Sequence, residues 1–205
     1  MDPYQLISTP TVSSFRRDAR QRSRSTELSY CQALDAVARD HEFAHWKEVM
    51  TQHSASVVAE CAFRNGLVIA MDIKEGEDIH ASSGFVHDPL IDALGIERMV
   101  ARILAGQNAN PLPADSATRE DYDGLEDTVH FTPESAWEWV SHNNLFFRYA
   151  GDQSIESTQA ACEYLCSICF WRPIYMWFRG ERYDGQWIND RVYPRPDWMK
   201  TRLFE

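Results

Sequence analysis

The chain has 205 residues, 44% of them hydrophobic and 12% aromatic, enough for one globular domain of moderate size with a small appendage. No window supplies the roughly 18 uncharged apolar residues of a membrane span, so no membrane partner is expected. The net charge of −11 is uneven: residues 1–30 balance to +2 and the remainder carries −13, a body that repels nucleic acid over most of its surface.

Residues 1–24 are rich in Ser, Thr, Arg and Gln with little apolar periodicity, and they read as a flexible basic arm. Within it Arg16, Arg17, Arg20, Arg22 and Arg24 form the one run that favours phosphate. The charge of this N-terminus follows a weakly apolar stretch, the wrong order for a secretory signal. Five cysteines, an odd number, read as reduced thiols, and together these features place the protein in the cytoplasm.

Residues 25–55 read as a pair of helices. Ser29 and Gln32 supply an S-x-x-Q capping box for the first. His41-Glu42-Phe43-Ala44-His45 spells H-E-x-x-H, the zincin pattern in which two histidines on one helical face hold zinc and the glutamate acts as general base. His53, Glu60 or Glu97 could then serve as third ligand. The apolar periodicity opposes this. At about 100° per residue, Leu34, Val37 and Ala38 point one way, whereas Phe43, Trp46, Val49 and Met50 centre more than a third of a turn away. A break at Asp40–Glu42 restores a clean stripe to each half and removes His41 and His45 from a common face.

Leu28, Ser29, Gln32, Ala33, Leu34, Val37, Ala38, Arg39, Phe43, Trp46 and Met50 match a short pattern, LSxxQALxxVARxxxFxxW. On these residues the segment resembles a module of plasmid and other mobile-element proteins, some found near glyoxalase-like proteins. The resemblance covers only about residues 28–50 and implies two helices joined by a tight turn, in a mobile-element setting, without implying a reaction. Glu42 departs from it by standing where the module has its turn glycine.

Val57–Ile73 contains two apolar runs around Arg64-Asn65-Gly66, which predicts a β-hairpin. Lys74–Asp78 is a charged turn. Pro89–Leu104 is a predicted helix that ends near Gly106, with Gly95 as a flaw. Residues 107–128 form a long acidic loop, with six carboxylates between Asp115 and Asp127, that reads as disordered. Thr132-Pro133-Glu134 opens a helix in the order cap, proline, acidic first turn, running to about Ser141. Leu145–Tyr149 and Ile174–Arg179 read as strands, Ser154–Ile168 as a helix, and Gly180 as a turn. The class is therefore α+β: an N-terminal helical pair, then a mixed domain over residues 56–205 with a β-hairpin and a small, mainly antiparallel sheet packed by helices.

Cys162, Cys166 and Cys169 have the C-x3-C-x2-C spacing of some iron–sulfur sites, but i, i+4, i+7 on a helix fits core packing better. The aromatic tail mixes Trp177, Tyr183 and Trp187 with Arg179 and Arg182, a composition that can anchor a partner. His80, Ser82, Ser83 and His87 lie in a polar loop with no evident orienting group. No phosphate-binding or dinucleotide-binding glycine motif is present. The favoured reading is a non-enzymatic accessory or regulatory protein without cofactor, binding a protein or a nucleic acid through the arginine run and the aromatic tail. A zinc hydrolase using His41 and His45, and an acidic inhibitor that mimics nucleic acid, are the alternatives.

Overall fold

The computed structural model describes residues 6–76, 79, 83–109, 131–169 and 173–185. It is α+β, as the pattern predicts. Three helices come first: α1 (Thr9–Ser25), α2 (Tyr30–Asp40) and α3 (Trp46–Asn65). Among the described residues an antiparallel sheet follows, interleaved with α4 (Ile73–Gly76), α5 (Pro89–Ala109), α6 (Pro133–Asn143) and α7 (Thr158–Ile168). Its strands are β1 (Leu67–Asp72), β2 (Phe85–His87), β3 (Asn144–Tyr149), β4 (Tyr175–Phe178) and β5 (Glu181–Asp184), in spatial order β2-β3-β1-β4-β5. No described helix is long and apolar enough to cross a membrane.

The expected flexible arm is instead α1 from Thr9 onward. Ser8 caps it by accepting the Thr11 N–H at 3.2 Å, Pro10 sits in its first turn, and Arg22 and Arg24 complement the dipole in its last. Val12, Phe15 and Ala19 bury at helical spacing, and they supply the stabilisation that so polar a sequence lacks by itself. These side chains join Leu34, Val37 and Ala38 of α2 and Val49 of α3 in one apolar cluster around fully buried Phe43. The predicted pair is thus a three-helix unit, and Trp46 is only partly buried at its edge.

The capping box of Ser29 and Gln32 forms as expected. The break also falls where the periodicity placed it. α2 ends at Asp40, Glu42 adopts φ 68°, and α3 starts at Trp46. That left-handed conformation is one a glycine adopts at no steric cost.

The predicted hairpin at Val57–Ile73 is not formed. Ser56, Ala59 and Phe63 bury at helical spacing, so α3 runs through Val57 to Asn65, and Gly66 closes it by donating to the Ala62 carbonyl at 3.0 Å. Asn-Gly here stops a helix instead of turning a hairpin, and β1 then pairs with β3 and β4, both distant in sequence. The tight hairpin lies at β4–β5, across Arg179 (φ 51°) and Gly180 (φ 88°), with Phe178 opposite Glu181.

β1 is buried on both faces because helices cover each side of the sheet. Val68, Ala70, Phe146, Tyr175 and Trp177 face α3, α5 and α6. Leu67, Ile69, Met71, Phe147, Met176 and Phe178 face α7 through Ala161, Cys162 and Leu165. Gly95, a flaw by propensity, is where α5 seats on the ring of Phe146. Thr132 caps α6 with a reciprocal bond to Ser135, as the cap–proline order predicted.

Candidate interaction surface

The structure sorts the five arginines of α1. Arg16 lies over the Trp46 ring, 5.8 Å from its centroid, with Nη2 4.0 Å from Met50 Sδ. Arg22 is held by Asp40 of α2. Arg17 donates to Ser14 of its own helix at 3.2 Å. Arg20 and Arg24 make no hydrogen bond or ion pair with any described residue, and Arg17 makes no ion pair. At about 100° per residue, Arg17, Arg20 and Arg24 fall within roughly 60° of each other, opposite Val12, Phe15 and Ala19. With Gln21 and Ser25 they line a shallow open depression. The helix carries five arginines against Asp18, a balance of +4, so the rest of the chain carries −15. A cationic stripe on so acidic a body concentrates any attraction for anions on one face.

The H-E-x-x-H residues do not share a helix. His41 follows the end of α2 and stacks on Phe15 at 4.2 Å between ring centroids. His45 is the N-cap of α3, its Nδ1 accepting the Glu48 N–H at 3.1 Å. Glu42 between them is turned by its left-handed backbone. His53 Nδ1 is 2.8 Å from the Ile7 carbonyl oxygen. Zincin geometry needs two imidazoles one turn apart on a single helix, and this backbone does not provide it. Among the described residues no group of three or more His, Cys, Asp or Glu side chains converges as metal ligands would.

The aromatic tail divides as well. Trp177 is only 4% exposed and meets Phe63 edge-on at 5.3 Å, so it is a core residue and not a partner contact. Tyr183 is half-buried against the α7 side of the sheet. Arg182 covers the Tyr175 ring at 4.6 Å, and Arg179 lies 5.1 Å over Phe178 with Glu156 at 3.6 Å. These two arginines seal aromatic edges of the sheet. Trp187, His80, Ser82 and the carboxylates of Asp115–Asp127 lie outside the described residues.

Cys162 is buried on α7, whereas Cys166 and Cys169 are half-buried, which agrees with packing at that spacing. Burial, with Cys166 close by, pushes the Cys169 thiol up to about 11.

One polar constellation escaped sequence reasoning. His87 Nε2 lies 2.5 Å from Asp92 Oδ2, with side-chain exposures of 42% and 16%. Asp92 Oδ1 accepts the Phe146 N–H at 2.9 Å. β2 ends at His87, opposite Phe147, so the next β3 donor has no strand partner, and the Asp92 carboxylate replaces it. Burial raises the Asp92 carboxyl above its ordinary range, opposed by the Phe146 and His87 hydrogen bonds and reinforced by nearby Asp88. Asp88 itself accepts the Ile91 N–H at 3.0 Å and pairs with Arg148 at 3.2 Å. The group ties β2, β3 and the start of α5 together. The five-residue spacing of His87 and Asp92 spans a strand–helix boundary, and no single periodicity reveals it.

Compared with protein-family models, with curated proteins and with solved structures, the chain matches none.

Proposed function

We propose that this chain is a non-enzymatic accessory or regulatory protein of a plasmid or other mobile element, working in the cytoplasm by binding an anionic partner through α1. The observation that carries the reading is the stripe of Arg17, Arg20 and Arg24. A folded helix holds these three cations on one exposed face, free of ion pairs with the described residues, while Arg16 and Arg22 are spent on internal contacts. The helix already orders the backbone that carries these cations, so binding costs less conformational entropy than it would for an unstructured arm. The mobile-element setting rests on the module resemblance, which the left-handed backbone at Glu42 supports at the module's glycine position.

The test is capture from a host lysate by the intact protein, compared with the Arg17→Glu/Arg20→Glu/Arg24→Glu variant. Specific, salt-sensitive retention of a partner that the triple variant loses is the expected result. Equal retention by both proteins would remove α1 as the binding surface.

A further inference from the structure

Helix–helix contacts fix where the arginine stripe points. α2 lies against the side of α1 that carries Phe15 and Arg22, through His41 and Asp40. α3 lies against the side that carries Arg16, through Trp46 and Met50. Farther back, the Ile7 N–H donates to Ser56 Oγ at 3.0 Å and its carbonyl meets His53 at 2.8 Å. α1 and α3 are therefore antiparallel, and α1 continues two turns past Arg16, beyond the first turn of α3. On the helical wheel Arg20 and Arg24 fall away from α2 and next to the α3-facing edge. The exposed positions on the first half of α3 are Lys47, Thr51, Ser54 and Ala55, of which the first three are polar and share one face. These three occur at i, i+4 and i+7, on the side adjoining Met50, so the two polar stripes flank the Arg16–Trp46 contact. Thr51 and Ser54 donate to the carbonyls of Lys47 and Met50 at 3.0 and 2.9 Å, which leaves their oxygen lone pairs outward.

α2 and α3 are thus two helices joined by the short link of residues 41–45 over a shared apolar core, with the basic helix α1 beside α3. From Arg17 to Arg24 the stripe spans roughly 10 Å of helix axis, about the rise of three base pairs. No aromatic side chain lines the arginine depression, so the stacking platform that a single strand uses is missing there. Resting on the reading of α1 as an anion-binding surface, we propose that the partner is duplex nucleic acid. Arg17, Arg20, Arg24 and Lys47 take backbone phosphates, and Thr51 and Ser54 of α3 turn toward the adjoining groove. The acidity of the remaining chain confines the duplex to this face.

The experiment is fluorescence anisotropy of the intact protein with a duplex of about 20 base pairs, between 50 and 200 mM salt. A single strand of equal length and a polyglutamate peptide serve as comparison arms. Four cationic contacts predict a log–log salt slope near about −3.6, which is roughly a 100-fold loss of affinity over that range. Arg17→Ala/Arg20→Ala/Arg24→Ala abolishes binding, and Lys47→Ala lowers the slope by about 0.9. Thr51→Ala/Ser54→Ala weakens binding severalfold with the slope unchanged. Circular dichroism and melting show that each variant is folded. Arginine-dependent binding of the single strand or of polyglutamate as tight as that of the duplex would overturn this inference and leave the anionic-partner reading standing. Arginine-dependent duplex binding indifferent to Lys47, Thr51 and Ser54 would overturn the part assigned to α3. Arginine variants that change neither polyanion binding nor lysate capture would overturn both.

Discussion

Replacing Gly95 with alanine measures how closely α5 is seated on the sheet. A β-carbon on Gly95 would lie 2.3, 2.4 and 2.6 Å from Cδ1, Cγ and Cε1 of Phe146. That ring is fully buried between α5 and α3, so it has little room to retreat. In an exposed helix interior glycine to alanine gains about 1 kcal/mol, whereas inserting a methyl into a packed core costs about 1–3 kcal/mol. At these distances the upper part of that range applies, and Gly95→Ala is expected to lose about 1–2 kcal/mol net. Gly106, on the same helix, is the control. Its β-carbon would meet nothing within 4 Å, so Gly106→Ala is expected to gain up to about 1 kcal/mol.

Urea unfolding with unchanged slope reads both values. In a thermal melt each kcal/mol corresponds to about 2–4 °C for a chain of this size. In a Phe146→Leu background the penalty at Gly95 should shrink, with a coupling energy above about 0.5 kcal/mol. If Gly95→Ala matched or exceeded the native protein in stability, the close helix–sheet contact would be refuted.

The backbone at Glu42 favours glycine, so Glu42→Gly should raise stability by about 0.5–1 kcal/mol while Glu42→Val lowers it; a loss with glycine would contradict the left-handed turn. Asp92→Ala orphans the Phe146 N–H and should cost about 1–3 kcal/mol in urea, whereas Asp92→Asn keeps an acceptor and should cost less. Because burial raises the Asp92 carboxyl, the folded protein holds that proton more tightly than the unfolded chain. Stability from this group is present below the ordinary value of 3.8 and is lost as pH rises through the folded value. Titrating urea midpoints upward from pH 3.5 should therefore show a shallower fall in Asp92→Asn than in the native protein, and parallel curves would exclude the linkage. In timed alkylation read by mass spectrometry, exposed Cys31 and Cys61 should label first. Cys169, with its thiol near 11, should lag at pH 8, and early labelling of Cys169 would refute its burial.

Signals that act within one turn of chain were legible. Ser29 with Gln32 and Thr132 with Pro133 announce α2 and α6, and the shifted apolar stripe around Asp40–Glu42 places the turn. α1 was not legible because its apolar face is three residues wide, and it is stabilised by α2 and α3 and not by its own periodicity. The hairpin expected at Asn65-Gly66 failed because the dipeptide suits a helix end as well as a tight turn. What decides between them is burial of Ala59 and Phe63 against a sheet whose strands lie far along the chain. Of the candidate surface, the composition named the arginines but not which remained available. That depended on Trp46 and Asp40, supplied by other helices.

α3 joins the two halves of this division. Its first turns contribute Val49 to the three-helix cluster, and its last turns contribute Ala59 and Phe63 to the sheet core. Buried Ser56 stands at the junction, accepting the Ile7 N–H while donating to the Gln52 carbonyl at 2.8 Å. One unbroken helix of 20 residues therefore links the three-helix unit that carries the arginine face to the sheet. A binding surface of the kind proposed for α1 needs no chemistry of its own beyond charge and position. Charge comes from an arginine run that composition already shows, and position comes from apolar contacts that only the fold supplies.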